Sequence, residues 1–309
     1  MMALRAKARG GPEQLVYERV PVTEAGPGEV LLAVHAAAIT FTELGWDIAW
    51  ASPDGGERDA LTPSHEVSGT VAALGAGVTE FSVGDEVYGL VDFDRVGAAA
   101  EYVAVPAGAL AHKPRSATHV QAAALALAAL TAWQALVDHA VLSPGERVLI
   151  HGGAGGVGGY AVQIAAGLGA EVIATGDPSR EDFVRRLGAA RFVDYTAEAF
   201  NWTLTALDVV LDTVGVAVAE RSYAVLRPGG RLVTVVAPPS TELADKYEVK
   251  ADFFIVRPDG GQLAQLAAMV DDGRLRPVVA QTFPLSAGRQ AFEAAARKHK
   301  PGKFVLTVR

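Results

Sequence analysis

The chain contains no cysteine. Disulfides are therefore impossible, and so is any zinc site built on thiolates. The absence fits a reducing compartment, and a cytoplasmic location is expected. Runs of lysine and arginine are also missing. The 27 basic residues are interspersed with 35 acidic ones, for a formal net charge of −8. Such a surface gives no reason to expect a nucleic-acid partner. Long apolar runs are absent too. The longest, 122–132, is too short to cross a bilayer, so it reads as a buried helix and no membrane partner is expected. Residues 1–7 lack the apolar core of a signal peptide.

What is present is apolar bulk. Half of the 309 residues are hydrophobic, enough for two packed domains. Residues 1–118 read as strand-rich, with strands at 28–36, 67–74, 86–90 and 102–106. Gly75-Ala76-Gly77 and Val83-Gly84-Asp85 supply turns between them, which is the pattern of an irregular antiparallel barrel. The texture changes near Pro114. Residues 118–139 are rich in alanine and leucine without glycine or proline, and predict a pair of helices. Short apolar runs then alternate with helices. Strands are expected at 147–151, 171–175, 191–193, 208–212 and 230–236, with helices at 156–168 and 181–187. Runs of this kind imply a parallel sheet covered on both faces. Beyond residue 262 come a helix (263–271), a second helix (287–298) and a closing strand (304–308). That strand is expected to return to the first domain and leave a cleft between the two. The domains are read as 1–118, 119–261 and 262–309, with the α/β middle portion doubly wound.

The turn Gly153-Ala154-Gly155-Gly156-Val157-Gly158 follows a strand and opens a helix. That context makes it a dinucleotide-binding turn rather than a glycine-rich loop serving packing alone. Gly153 permits the tight turn, Gly155 lets backbone N–H groups approach a pyrophosphate, and Gly158 lets helix and strand pack closely. The helix N-terminus, with Gly156 and Val157, adds free donors and partial positive charge. The second strand ends Ala174-Thr175-Gly176 without the carboxylate that usually holds a ribose 2′-hydroxyl. Ser179 and Arg180 follow, and a guanidinium there can pair with a 2′-phosphate. NADPH is therefore expected over NADH. Asp177 argues the other way, and its place before Pro178 reads as a turn or helix-cap residue.

Several segments together resemble the medium-chain dehydrogenase/reductase superfamily, in its zinc-independent quinone oxidoreductase branch. The carriers are Gly84-Asp85-Glu86-Val87-Tyr88-Gly89, Leu130-Thr131-Ala132-Trp133, the run 151–158, Asp212-Thr213-Val214-Gly215, Pro228-Gly229-Gly230-Arg231 and Gly302-Lys303-Phe304-Val305-Leu306. The resemblance implies a doubly wound Rossmann domain beside a GroES-like barrel. It also implies that Thr131 lies near the nicotinamide ribose, that Val214, Val235 and Val236 line the nicotinamide, and that Tyr195 stacks near the 2′-phosphate beside Arg180.

Zinc alcohol dehydrogenases of this superfamily hold metal with a cysteine and a His-Glu pair. Ser64-His65-Glu66 matches the pair, but Thr40 stands at the cysteine position and the third ligand position falls near Leu127. No metal is expected, because catalytic zinc needs about three protein ligands. The segment Ile39-Thr40-Phe41-Thr42-Glu43 departs from the Asn-Pro-x-Asp common in quinone reductases. The reading is an NADPH-dependent reductase of quinones or α,β-unsaturated carbonyls. Thr40, Thr42 and His65 are its candidate donors to the acceptor oxygen, although His65 without a full ligand set also reads as a retained structural or cleft histidine; Trp46 and Trp50 can stack on a flat substrate or pack their loop. Two other readings stand beside it: a zinc alcohol dehydrogenase, and an NADPH-binding sensor or crystallin-like protein with little turnover. A homodimer through an apolar edge strand at 251–256 is expected as well.

Overall fold

The structure is a computed structural model that describes residues 1–52, 56–197, 199–297 and 300–309. It separates into two compact units, 1–127 with 257–309, and 128–256. The first stretch carries strands β1 (Met2–Ala6), β2 (Leu15–Arg19) and β3 (Glu29–Ile39), the short helix α1 (Asp47–Trp50), and strands β4 (Glu66–Leu74), β5 (Glu86–Leu90), β6 (Tyr102–Pro106) and β7 (Leu110–His112). Helix α2 (His119–Ala123) follows, opened by a capping box between Thr118 and Gln121. Along β3 the side chains alternate, with Val30, Leu32 and Val34 buried, so one face of the strand enters the core. Gly84, at φ +97°, makes the turn into β5 in a conformation that disfavours a β-carbon.

The second stretch holds α3 (Ala126–Trp133), continued by a π-helical turn at Gln134–His139. Then come β8 (Arg147–Ile150), α4 (Gly156–Gly167), β9 (Glu171–Gly176), α5 (Glu181–Arg186), β10 (Arg191–Asp194), α6 (Phe200–Thr203), β11 (Leu207–Asp212), α7 (Val216–Ser222), β12 (Leu226–Thr234), α8 (Thr241–Lys246) and β13 (Lys250–Phe253). The six strands form one parallel sheet in the order β10-β9-β8-β11-β12-β13. Leu149, Ile173, Val193, Val210 and Leu232 supply its buried core. The chain leaves β8 toward β9 on one side and returns to β11 on the other. The point of reversal lies at the carboxyl ends of β8 and β11, where such sheets bind ligands.

The last stretch adds α9 (Gly260–Asp271), β14 (Val279–Pro284), α10 (Gly288–Ala296) and β15 (Lys303–Thr307) to the first unit. Strand β15 pairs antiparallel with β3, Phe304 opposite Ile39 and Leu306 opposite Ala37, as the expected return requires. The barrel sheet runs β14-β15-β3-β4-β5-β7, with β6 also on β3. It is antiparallel except for the parallel pair of β14 and β15. Helix α9 seats on β5 and β7: the Tyr88 hydroxyl donates to Leu263 O at 2.6 Å, and a β-carbon on Gly260 would lie 2.3 Å from Leu110 O.

The units divide at 127/128 and 256/257, not at the expected 118/119 and 261/262. The reason is packing: α2 lies on β3, β4 and β5, so the barrel extends past residue 118. Four strands, β1, β2, β7 and β14, were not foreseen. Lys298, the expected last residue of the final helix, lies outside the described residues.

Candidate active site

The glycine turn sits at the carboxyl end of β8. Gly152 has φ +75°, and a β-carbon on Gly158 would lie 2.1 Å from Gly152 O. Only glycine fits there. Gly153 N donates to Thr175 O at 2.9 Å and Gly155 N to Gly152 O at 2.8 Å, which closes the turn. The N-cap residue Gly155 supplies no side-chain cap to α4. Its first-turn N–H groups, at Gly156, Val157 and Gly158, are left for an anion such as a pyrophosphate. The cradle therefore fits a dinucleotide.

Thr175 lies beneath this turn rather than at its surface. It is buried, and its hydroxyl meets Gly152 N at 3.3 Å and His151 Nδ1 at 3.2 Å. Its part is to hold the turn, and direct contact with a cofactor is not the role its position gives it. His151 is a support the sequence did not disclose. Its Nε2 lies 3.0 Å from Ser222 Oγ on α7, and burial pushes its pKa down to about 3. At the end of β11, buried Asp212 accepts from Val214 N at 2.9 Å and Gly215 N at 3.2 Å. Burial raises its pKa. The Asp212 carbonyl also accepts from Val235 N, and Thr234 Oγ1 accepts from Val236 N. These bonds fix the loops that carry Val214, Val235 and Val236, and both Val214 and Val236 are exposed there.

Asp177 accepts from Ser179 N at 2.9 Å and from the Ser179 hydroxyl at 2.6 Å, and these bonds hold its pKa low. Its carboxylate caps the turn at Pro178–Arg180, the local role its place before proline predicted. Strand β10 pairs with β9 so that Asp194 lies opposite Gly176. Arg180 and Tyr195 thus leave neighbouring strand ends, with Tyr195 56% exposed. Thr131 is buried on α3.

In the other unit a polar corner forms where β3, β4 and β15 meet. Glu43 is buried and accepts from Thr40 N at 3.1 Å and Ser64 N at 2.8 Å. Burial pushes its pKa up to about 8, so it is mostly protonated at neutral pH. Ser64 has φ +69°, an uncommon conformation for a residue with a side chain. Lys303 Nζ, itself buried, lies 2.5 Å from Glu66 Oε1 and donates to Thr40 Oγ1 at 2.8 Å. The other Glu66 oxygen accepts from Leu127 N at 3.2 Å. Lys303 and Glu43 were missed as site residues. A charged residue opening an apolar strand was the one sequence signal for Lys303.

Of the two roles open to His65, donor or retained structural histidine, its geometry favours the second. Its Nδ1 lies 3.1 Å from Asp92 O, which only accepts, so Nδ1 carries the proton. Burial pushes its pKa down to about 4. The neutral ring then has no proton on Nε2, which is buried with no partner among the described residues. His65 is thus an acceptor at neutral pH and not a donor to an oxyanion. Of the two roles open to Trp50, packing is the one its burial favours. It is 2% exposed, donates from Nε1 to Leu44 O at 2.8 Å and lies under Arg9, so it packs the core. Trp46 meets Phe93 edge-on at 5.2 Å. Thr42 is exposed at the start of a 3-10 turn.

Residues 26–115 match the alcohol dehydrogenase GroES-like domain, and residues 187–306 match the zinc-binding dehydrogenase family. The mouse (Mus musculus) mitochondrial NAD(P)H oxidoreductase RTN4IP1 is 32% identical, over 91% of this chain and 82% of its own length. The chain belongs to the medium-chain dehydrogenase/reductase superfamily, in its quinone oxidoreductase-like branch. The quinone oxidoreductase from Coxiella burnetii superposes on this oxidoreductase with a TM-score of 0.91 and 31% identity, covering 100% of this chain and 99% of that one. Mycobacterial Rv1454c, solved in complex with NADPH, gives 0.87 and 27%, with both chains covered in full. The oxidoreductase is thus of the kind that uses a nicotinamide dinucleotide.

The name of the second matched family raises the question of zinc. The residues here do not fit it. Thr40 and Glu66 are engaged by the Lys303 ammonium, and Leu127 offers only a backbone N–H. Among the described residues no three His, Cys, Asp or Glu side chains gather to hold a metal ion.

Proposed function

We propose that this oxidoreductase is an NADPH-dependent reductase of quinones or α,β-unsaturated carbonyls that works without zinc. One observation carries the reading: at the corner where the superfamily places metal, an ammonium group holds the candidate ligand oxygens. Bound NADPH supplies the hydride. The glycine turn and the α4 N-terminus hold its pyrophosphate, and Arg180 with Tyr195 favours a 2′-phosphate. A saturated ketone needs strong polarisation of its oxygen, which zinc supplies as a Lewis acid. A quinone or enone spreads the incoming charge over a conjugated system, so neutral donors suffice. Thr40 and Thr42 remain as those donors once His65 is assigned as an acceptor.

The test is NADPH consumption with matched quinones, enones and aliphatic ketones, alongside metal analysis of the purified protein. Quinones or enones should be reduced, ketones scarcely, and zinc should be far below one per chain. Efficient ketone reduction, or about one zinc per chain lost together with activity on chelation, would refute the reading. We propose further that the protein is a cytoplasmic homodimer joined through the edge segment 251–256, of which only the part up to Phe253 is strand, in β13. Its outer neighbour position is open within the sheet, and Ile255 beyond it is exposed.

A further inference from the structure

We infer that Lys303 acts through Thr40: the ammonium holds and strengthens the Thr40 hydroxyl as the hydrogen-bond donor to the acceptor oxygen. The inference rests on the reductase reading and names the device that replaces a metal in it. Thr40 is the catalytic residue and Lys303 its positioning residue.

The register brings them together. Phe304 lies opposite Ile39 in the antiparallel pair, so the preceding Lys303 falls opposite Thr40. An ammonium has no lone pair, so the 2.8 Å contact runs in one direction, from Lys303 Nζ to Thr40 Oγ1. The hydroxyl keeps its own proton, and no acceptor for it is found among the described residues. Thr40 is otherwise immobilised. Its N–H donates to Glu43 Oε1, and its carbonyl accepts from Glu43 N at 2.9 Å. Lys303 is held by Glu66 at 2.5 Å, and Glu66 in turn by Leu127 N. A hydroxyl that accepts from a cation is polarised and donates more strongly. Thr40 is partly exposed and the neighbouring Phe41 is exposed, so this end of β3 reaches the surface.

For an enone the chemistry balances as follows. Hydride adds to the β-carbon, and the C=C electrons move toward oxygen. The Thr40 O–H donates a hydrogen bond to the resulting enolate oxygen and keeps its proton. Water supplies the proton that completes the product. Lys303 stays charged throughout, paired with Glu66. The competing account makes Lys303–Glu66 a purely structural ion pair that ties β15 to β4.

The experiment measures kcat/KM on benzoquinones graded from strongly to weakly electron-poor. Removing Lys303 alone would strand a buried carboxylate, so the pair is replaced as Lys303→Met with Glu66→Gln. Lys303→Gln with Glu66→Gln, which keeps neutral hydrogen bonds, is the second variant with the same expectation. Thr40→Val should lower kcat/KM roughly 10- to 100-fold on the weakest acceptors. The pair variant should lower it roughly 3- to 10-fold there and less on the strongest. The combined variant should be no slower than Thr40→Val alone, and Thr40→Ser should stay near wild type. An unchanged pair variant, equal losses on every acceptor, or losses that multiply in the combined variant would each overturn the inference. A wild-type enzyme that reduces neither these quinones nor enones would instead overturn the reductase reading, and the inference would fall with it; one that reduces only enones is tested on a graded enone series.

Discussion

Gly158→Ala is the sharpest test of the glycine turn. The new methyl group would sit 2.1 Å from Gly152 O, 2.8 Å from its carbonyl carbon and 3.2 Å from Gly153 Cα. All three neighbours are backbone, so nothing can rotate aside, and the turn must open by about 1 Å to reach ordinary contact. Overpacking of this kind costs about 1–3 kcal/mol. Gly152 O is also the acceptor for Gly155 N, so the same displacement disturbs the cradle itself. If the whole strain is relieved by opening the turn, NADPH affinity should fall roughly 5- to 150-fold. Gly167, the last residue of the same helix, is the control, because a β-carbon there meets nothing within 4 Å. Gly167→Ala should leave binding alone and stabilise the helix by up to about 1 kcal/mol. Fluorescence titration with NADPH and urea unfolding of both variants provide the measurements. Binding by Gly158→Ala within about twofold of wild type, or equal weakening by Gly167→Ala, would refute the steric argument.

Arg180→Ala should weaken NADPH roughly 10- to 150-fold by equilibrium titration while leaving NADH nearly unchanged, and equal effects would remove Arg180 from the phosphate site. The folded-state pKa values of His65 and His151 lie below their ordinary value of 6.5, so stability should be lost as pH falls from about 6.5 toward 4; that of Glu43 lies above its ordinary value, so it costs stability as pH rises from 4.5 to about 8. The unfolding free energy from urea titrations should therefore peak near pH 6.5 and decline above it by up to about 1.4 kcal/mol per pH unit, and Glu43→Gln should flatten that decline. Light scattering should show a dimer at micromolar concentration that Ile255→Lys shifts toward monomer, and a wild-type monomer would refute the β13 interface.

Much of the fold was legible because its signals are local. A glycine turn between strand and helix and short apolar runs at βαβ spacing identify the parallel sheet wherever they occur. The closing strand was legible for the same reason. Strand β14 was not: its residues are only partly buried and include Gln281, Thr282 and Pro284, so no alternation marks it. The polar corner was half legible. His65 and Glu66 could be read as a motif, but whether His65 donates depends on the carbonyl of Asp92, which only the folded chain supplies. Thr175 likewise could be read as a strand end beside the cofactor, but not as a buried support. Its burial follows from His151 and Gly152 lying over it. Lys303 and Thr40 stand near opposite ends of the sequence, and only the β3–β15 register makes them neighbours.

That register also sets an order of assembly. The cofactor-binding unit is encoded in one uninterrupted stretch, 128–256, so a growing chain can finish its sheet while the ribosome is still at work. The barrel cannot close so early, because β15 follows that whole stretch in the chain. Until then Ala36, Ala37, Ala38 and Ile39 lack their β15 neighbours, and Glu66 lacks its cation. A nascent chain therefore carries a finished half beside an unsealed one, with an apolar strand edge open to wrong partners. The arrival of Lys303 and its strand then both seals that edge and neutralises the carboxylate.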